Sequence, residues 1–203
     1  MGPGPNASRV PPPEPDEGFL VARSRRGDAA AFEELVRRHQ RRVYAVARRI
    51  VRAHDVADDV SQEAFVRAWR SLDRFEPGRP FAPWVCRIAA NLAINHVRSP
   101  RAREDALPEG HAETRSLDAG PLGSVLDAEA GRALDAAVAA LPVEQRAVFV
   151  LRSVEEMSYE AIAEALSLSP GTVMSRLFRA REKLARALAP YLGAAGRRKG
   201  GAA

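Results

Sequence analysis

Residues 157–181, MSYEAIAEALSLSPGTVMSRLFRAR, decide how this chain is read. Ile162, Ala163 and Leu166 recur at helical spacing and leave Glu160 and Glu164 outside, which predicts a short amphipathic helix with one buried face. Ser169 stands where an N-cap belongs, and Pro170 takes the first helical position, where its missing N–H costs nothing. A second helix starts there, with Val173 and Leu177 turned inward at four-residue spacing. Thr172, Ser175, Arg176 and Arg179 project outward near its start. A helix-turn-helix enters the DNA major groove in this way, Arg reading guanine and Ser or Thr bonding bases or phosphates. An ordinary helical hairpin with a solvated charged face shares the local pattern, so the rest of the chain must discriminate.

Charge distribution favours the nucleic-acid reading. The 203 residues carry a net charge of +5, and 46% apolar content suffices for two small cores. Segment by segment, 18–98 carries +7, 99–127 carries −3, 128–168 carries −4 and 169–203 carries +7. Positive charge is therefore concentrated in two separate blocks, one beginning at the proposed recognition helix, and two DNA-facing surfaces are implied. One cysteine, Cys86, excludes an intramolecular disulfide, and its apolar neighbours mark it as a small buried hydrophobe. With no run of about 18 apolar residues and no secretory pattern at the start, a cytoplasmic protein without membrane insertion is expected.

Punctuation along the chain predicts an all-α fold of two small helical domains. Residues 1–17, with Pro11-Pro12-Pro13, read as a disordered leader, and 193–203 as a frayed basic tail. In 18–98 a helical bundle is expected: Asp28 caps a helix bearing Phe32, Leu35, Val36, Val43, Val46, Ala47 and Ile50. A second helix covers about 55–72 through Val60, Ala64, Phe65 and Trp69, and a third covers about 81–98 after the Pro- and Gly-rich loop 74–80. Breakers and acids mark 99–127 as a flexible linker. Helical pattern resumes at 128–140 and 143–152 across the Leu141-Pro142 stop, and the domain 128–192 ends in the helix-turn-helix.

Two segments together carry a family resemblance. Asp58-Asp59-Val60-Ser61-Gln62-Glu63-Ala64-Phe65-Val66-Arg67-Ala68-Trp69-Arg70, followed by 81–98, resembles the second conserved region of bacterial sigma factors of the extracytoplasmic-function (ECF) group, within the sigma-70 family. Leu141-Pro142 through Arg146, and 159–181 with Ser169-Pro170-Gly171-Thr172-Val173, resemble that group's fourth region. The resemblance implies a non-enzymatic specificity subunit that binds core RNA polymerase, recognises promoter −35 and −10 elements and starts strand opening, often in stress responses. It implies that Asp58, Asp59, Gln62 and Glu63 meet the polymerase clamp coiled coil, and that the C-terminal domain meets the flap. Trp84, Asn91, Asn95 and Arg98 are implied at the −10 element, beside the 74–80 loop as a pocket for a flipped base. Thr172, Ser175, Arg176, Arg179 and Arg181 are implied at the −35 element, and an anti-sigma factor as a further partner. Two positions depart from the group's pattern: Asn95, where an acid is frequent, and Met174, where a base is frequent. Trp84 has a second reading, as a wedge between loop and helix.

No cofactor or metal is expected. The sequence has no Gly-rich phosphate loop, and His39, His54, His96 and His111 lack metal-ligand spacing and are read as surface or linker residues. A two-domain helix-turn-helix regulator acting without core polymerase would share the C-terminal motif, but gives no reason for the paired motifs at 58–63 and 84–98. A helical adaptor binding only proteins leaves the two basic blocks unexplained. Coiled, the 29-residue linker spans about 30 Å and taut about 95 Å, whereas about 17 base pairs separate two elements by nearly 60 Å. The tether reaches without preferring to, so tight promoter binding calls for a scaffold.

Overall fold

A computed structural model describes residues 16–100 and 125–196, with side chains described at 16–100 and 131–191. The expected leader through residue 15, most of the acidic linker, including His111, and the tail from 197 lie outside the described residues. The protein is all-helical. One group comprises α1 (Glu17–Ser24), α2 (Ala29–Val51), α3 (His54–Arg70) and α4 (Phe81–Arg98), with a single 3-10 turn at Leu72–Arg74. The other comprises α5 (Val125–Ala139), α6 (Val143–Val154), α7 (Tyr159–Leu166) and α8 (Pro170–Gly196).

Local chemistry sets the helix boundaries. Asp28 caps α2 as expected, its carboxylate accepting the Ala31 amide at 3.1 Å, and that hydrogen bond holds its pKa below the ordinary carboxylate value. Ser158 caps α7 through the Ala161 amide at 3.1 Å, and Ser169 caps α8 through the Thr172 amide at 3.2 Å. Between α7 and α8 the chain turns through Ser167 at φ 52°, a left-handed residue that ends one helix so the next can begin. The helix-turn-helix therefore forms as its capping residues dictate.

Sequence reading extends the leader through residue 17, but α1 begins at Glu17, with Asp16 accepting the Phe19 amide as its cap. Glu17 then reaches across the bundle. Its Oε1 accepts the Phe81 amide at 2.8 Å, serving the first turn of α4, which lacks a side-chain cap of its own. Its Oε2 lies 2.9 Å from His39 Nε2. His39 is consequently no surface residue; it is mostly buried, its ring 5.5 Å from that of Phe81. Neither contact could be read from spacing, because the partners lie 64 and 22 residues away. Similarly, α5 starts at Val125, inside the stretch expected as linker.

The core of the first group is built from Leu35, Val43, Val46, Ala47 and Ile50 of α2, Ala57, Val60, Ala64, Phe65 and Ala68 of α3, and Val85, Ala89, Ala90 and Ala93 of α4. The alanines allow close helix approach. At the open end of the bundle, Phe81 packs edge-on to Phe32 and Phe75 and tilted against Trp84, tying the 75–80 loop to α4. The buried cluster does not stop at this bundle: Ala147, Val148, Val150 and Leu151 of α6 and Ile162 of α7 belong to the same apolar assembly.

Phe81→Ala removes the ring on which four neighbouring rings lean, so it should cost about 3–5 kcal/mol; the check is a fall in the urea unfolding midpoint of the full chain. Ser169→Ala should cost about 1 kcal/mol in the first turn of α8, seen as roughly fivefold faster hydrogen exchange at the Thr172 amide.

Candidate nucleic-acid and polymerase interface

The sequence placed four polar residues on α3, and the helix brings them to one side. Asp58, Asp59, Gln62 and Glu63 fall at steps of one and four, with the buried seam Val60, Ser61, Ala64 and Phe65 opposite. Asp59 and Gln62 are exposed; Asp58 lies 3.0 Å from His54 Nδ1, and Glu63 accepts from Arg67 Nε at 2.7 Å. Val66 and Trp69 remain exposed on the same helix. Sequence reasoning set Trp69 on the apolar seam with Val60, Ala64 and Phe65 and gave Val66 no role; the Trp69 ring does pack 4.9 Å from that of Phe32 but stays partly exposed. An acidic face edged by apolar side chains suits a partner presenting arginines.

Trp84, Asn91, Asn95 and Arg98 recur at steps of seven, four and three, which places them along one side of α4. Asn95 and Arg98 are exposed and Asn91 half-buried. Trp84 does wedge the loop, its ring 5.0 Å from that of Phe75, yet it keeps some exposure at the edge of the 74–80 segment. Amide, guanidinium and indole groups in one row can stack on and hydrogen-bond unpaired bases. Part of this row is engaged by the second helical group: Asn91 Nδ2 donates to the Ala165 carbonyl at 2.8 Å, and Arg98 donates to Glu144 Oε1 at 2.8 Å.

In α8, Val173 and Leu177 are buried and the opposite side is open, with Ser175, Arg179 and Arg181 exposed and Thr172 and Arg176 partly so. Thr172 Oγ1 and Ser169 Oγ lie 2.9 Å apart, and Ser175 Oγ donates to the Thr172 carbonyl at 3.0 Å. These bonds fix the hydroxyls at the helix start, where a recognition helix meets base edges. Met174 and Phe178 are 55% and 70% exposed between the arginines. Sequence reasoning missed Phe178, because an aromatic at helical spacing is ordinarily a core residue.

Cys86 is fully buried, as expected, and burial first, then the nearby Glu155 charge, push its thiol up, out of reach of ionisation. Among the described residues no group of three or more His, Cys, Asp or Glu could hold a metal ion, and no helix is long and apolar enough to cross a membrane.

A family model for sigma-70 region 2 matches residues 35–104, and one for sigma-70, region 4 matches 131–184. The chain is 40% identical over 169 residues to the ECF RNA polymerase sigma factor SigE of Mycolicibacterium smegmatis, covering 81% of this chain and 65% of that relative's length. It is 37% identical to the RNA polymerase sigma-H factor of Pseudomonas aeruginosa, over 85% of this chain and 94% of that protein. With the ECF RNA polymerase sigma-E factor of Escherichia coli K12, identity is 34% over the same shares. Among solved structures, CnrH in complex with the cytosolic domain of CnrY is similar at a TM-score of 0.60 and 29% identity, covering 86% of this chain and 97% of that one. The sigma factor RpoE in complex with the anti-sigma factor NepR, from Bartonella quintana, is similar at 0.58 and 27%, covering 77% and 96%. The chain therefore belongs to the ECF sigma factors of the sigma-70 family, with regions 2 and 4, non-catalytic RNA polymerase subunits that drive promoter-specific transcription initiation.

Proposed function

We propose that this chain acts through three separate surfaces. On α3, Asp58, Asp59, Gln62 and Glu63 bind the clamp coiled coil of core polymerase, with Val66 and Trp69 supplying apolar contact at the edge. On α4, Trp84, Asn91, Asn95 and Arg98 hold the opened −10 strand, and the loop 74–80 takes a flipped base. On α8, Thr172, Ser175, Arg176 and Arg179 read the −35 element in the major groove, Arg181 bonds phosphate, and the flap supports this domain. The action belongs in the cytoplasm, where polymerase and promoter meet.

The observation that carries the reading is the open side of α8, where capped hydroxyls and arginines stand over a fully buried Val173 and Leu177. A helix with no further packing duty on that side is free to enter a groove. Met174 and Phe178 extend its chemistry. Where a base at position 174 would meet phosphate, a thioether and an aromatic edge suit thymine methyl groups.

Both solved relatives are complexes, one with the cytosolic domain of CnrY and one with the anti-sigma factor NepR. We infer an inhibitory protein partner of that kind for this chain.

The function is tested by run-off transcription with purified core polymerase, in which specific initiation should depend on this chain. Arg179→Ala should lower −35-dependent binding by about 1–3 kcal/mol and relax preference at one base pair, measured by gel shift of the holoenzyme on a set of single-substitution promoters. Asp59→Arg should abolish co-purification with core polymerase while leaving the helical circular dichroism of the free chain unchanged.

A further inference from the structure

The 74–80 loop is held from outside itself, and one helix holds both of its rims. Residues 76–80 are exposed between two buried rings, Phe75 and Phe81, whose centroids stand 6.0 Å apart. The ion pair they make, Arg79 with Glu76 at 2.7 Å, stays within the loop. Polar ties from the rims to another helix come from α1. At one rim, Arg25 Nη2 donates to the Asp73 carbonyl at 3.1 Å, in the 3-10 turn that leads into the loop. At the other, Glu17 Oε1 accepts the amide of Phe81, the first residue of α4, at 2.8 Å, and its second oxygen lies 2.9 Å from His39 Nε2. From Glu17 to Arg25 is about 12 Å along a helix. That helix is in turn fixed to α2: Leu20 and Val21 are buried, and Arg23 pairs at 2.5 Å with Asp28, the cap of α2.

We propose that Glu17 and Arg25 are positioning residues for strand opening: α1 is a ruler that keeps the two rims of the 74–80 loop at a set separation, and so sets how sharply the loop discriminates the base it captures. They act through the loop and not by contact with DNA. The inference rests on the reading of 74–80 as a base pocket. Its physical ground is stiffness. Pro77 and Pro80 fix φ at two of the exposed positions, and Gly78 at φ 84° supplies the reversal, so the arc has little freedom of its own. A stiff arc moves as its rims move, and a displacement of about 1 Å in a binding site can lower discrimination tenfold or more. Pro80 holds the N-cap position of α4 and offers no side-chain acceptor there. A Ser or Asp at that position would cap α4 without reference to any other helix. With the acceptor supplied by Glu17, the start of α4 is coupled to the placement of α1.

The test uses holoenzyme assembled from core polymerase and the full-length chain. Its probe is fork-junction DNA made from the promoter used in run-off transcription, with each of the four bases placed in turn at every position of the single-stranded −10 element. Glu17→Ala and Arg25→Ala should each lower the preference at the captured position about tenfold, with preference at the other positions and affinity for core polymerase unchanged. Glu17→Gln, whose amide oxygen can still accept from Phe81, should restore most of that preference. Ile50→Val, a fully buried change at the far end of α2, is the control for simple loss of stability. It should lower the unfolding midpoint and leave base preference alone. A merely structural role for Glu17 and Arg25 would weaken binding to all four bases alike, in step with the unfolding midpoint. That result, an equal loss of preference in Ile50→Val, or no gain of Glu17→Gln over Glu17→Ala would overturn the inference. Glu76→Ala with Arg79→Ala, inside the loop, separates the two readings. If that variant lowers preference at the captured position while Glu17→Ala and Arg25→Ala do not, this inference alone fails; if it changes nothing, the base-pocket reading fails and this inference with it.

Discussion

Everything in this molecule is arranged around a helix that must be covered on both sides. In α6, Arg146, Ala147, Val148, Val150 and Leu151 are all buried. At about 100° per residue they sweep roughly 200° of the helix, well beyond the stripe a surface helix hides. One side seats α8 and α7, which fixes the angle at which the recognition helix is presented. The other lies on α2 and α4. The three other C-terminal helices leave the α2- and α4-facing side of α6 uncovered, so a C-terminal group standing free would expose apolar surface, and the rest of the chain or a partner has to cover it.

Electrostatics explains which surface provides the cover. The α2 and α4 faces present the arginines Arg42, Arg87 and Arg98, and the first turn of α6, the end of α7 and the turn after α6 present carboxylates and a carbonyl. A pair such as Arg42 with Glu155, in which only the carboxylate is buried, contributes little net stability, since the desolvation of Glu155 opposes the attraction. Its value lies in register: with Glu155 fully buried, only a docking that brings a cation to it avoids a stranded charge. Apolar contact sets how strongly the groups associate, and the ion pairs set how they align.

Features that depend on neighbours in sequence were legible before the structure. The caps Asp28 and Ser169, the seam Val173 and Leu177, the span 81–98 of α4 and the burial of Cys86 all follow from spacing and residue chemistry within one helix or turn. Features set by distant partners were not. Glu17 looks like the end of a proline-rich leader until Phe81 and His39 stand beside it. Asn91 and Arg98 read as members of an open face because nothing local signals that Ala165 and Glu144, 74 and 46 residues further on, lie against them. The breadth of the α6 apolar pattern was present in the sequence, but helical periodicity alone does not say how many neighbours a helix has.

Chain connectivity decides how strong that internal contact must be. The 26 residues 99–124 join the two helical groups, long enough to permit both a docked arrangement and the nearly 60 Å separation of two promoter elements. Tethering of this length gives an effective concentration on the order of 1 mM, so an interface with an intrinsic Kd of about 0.1 mM closes roughly nine chains in ten. Such an interface can be small, half polar and imperfectly satisfied, as this one is, and still dominate in isolation. It also yields to any competitor whose affinity for either face exceeds that modest value.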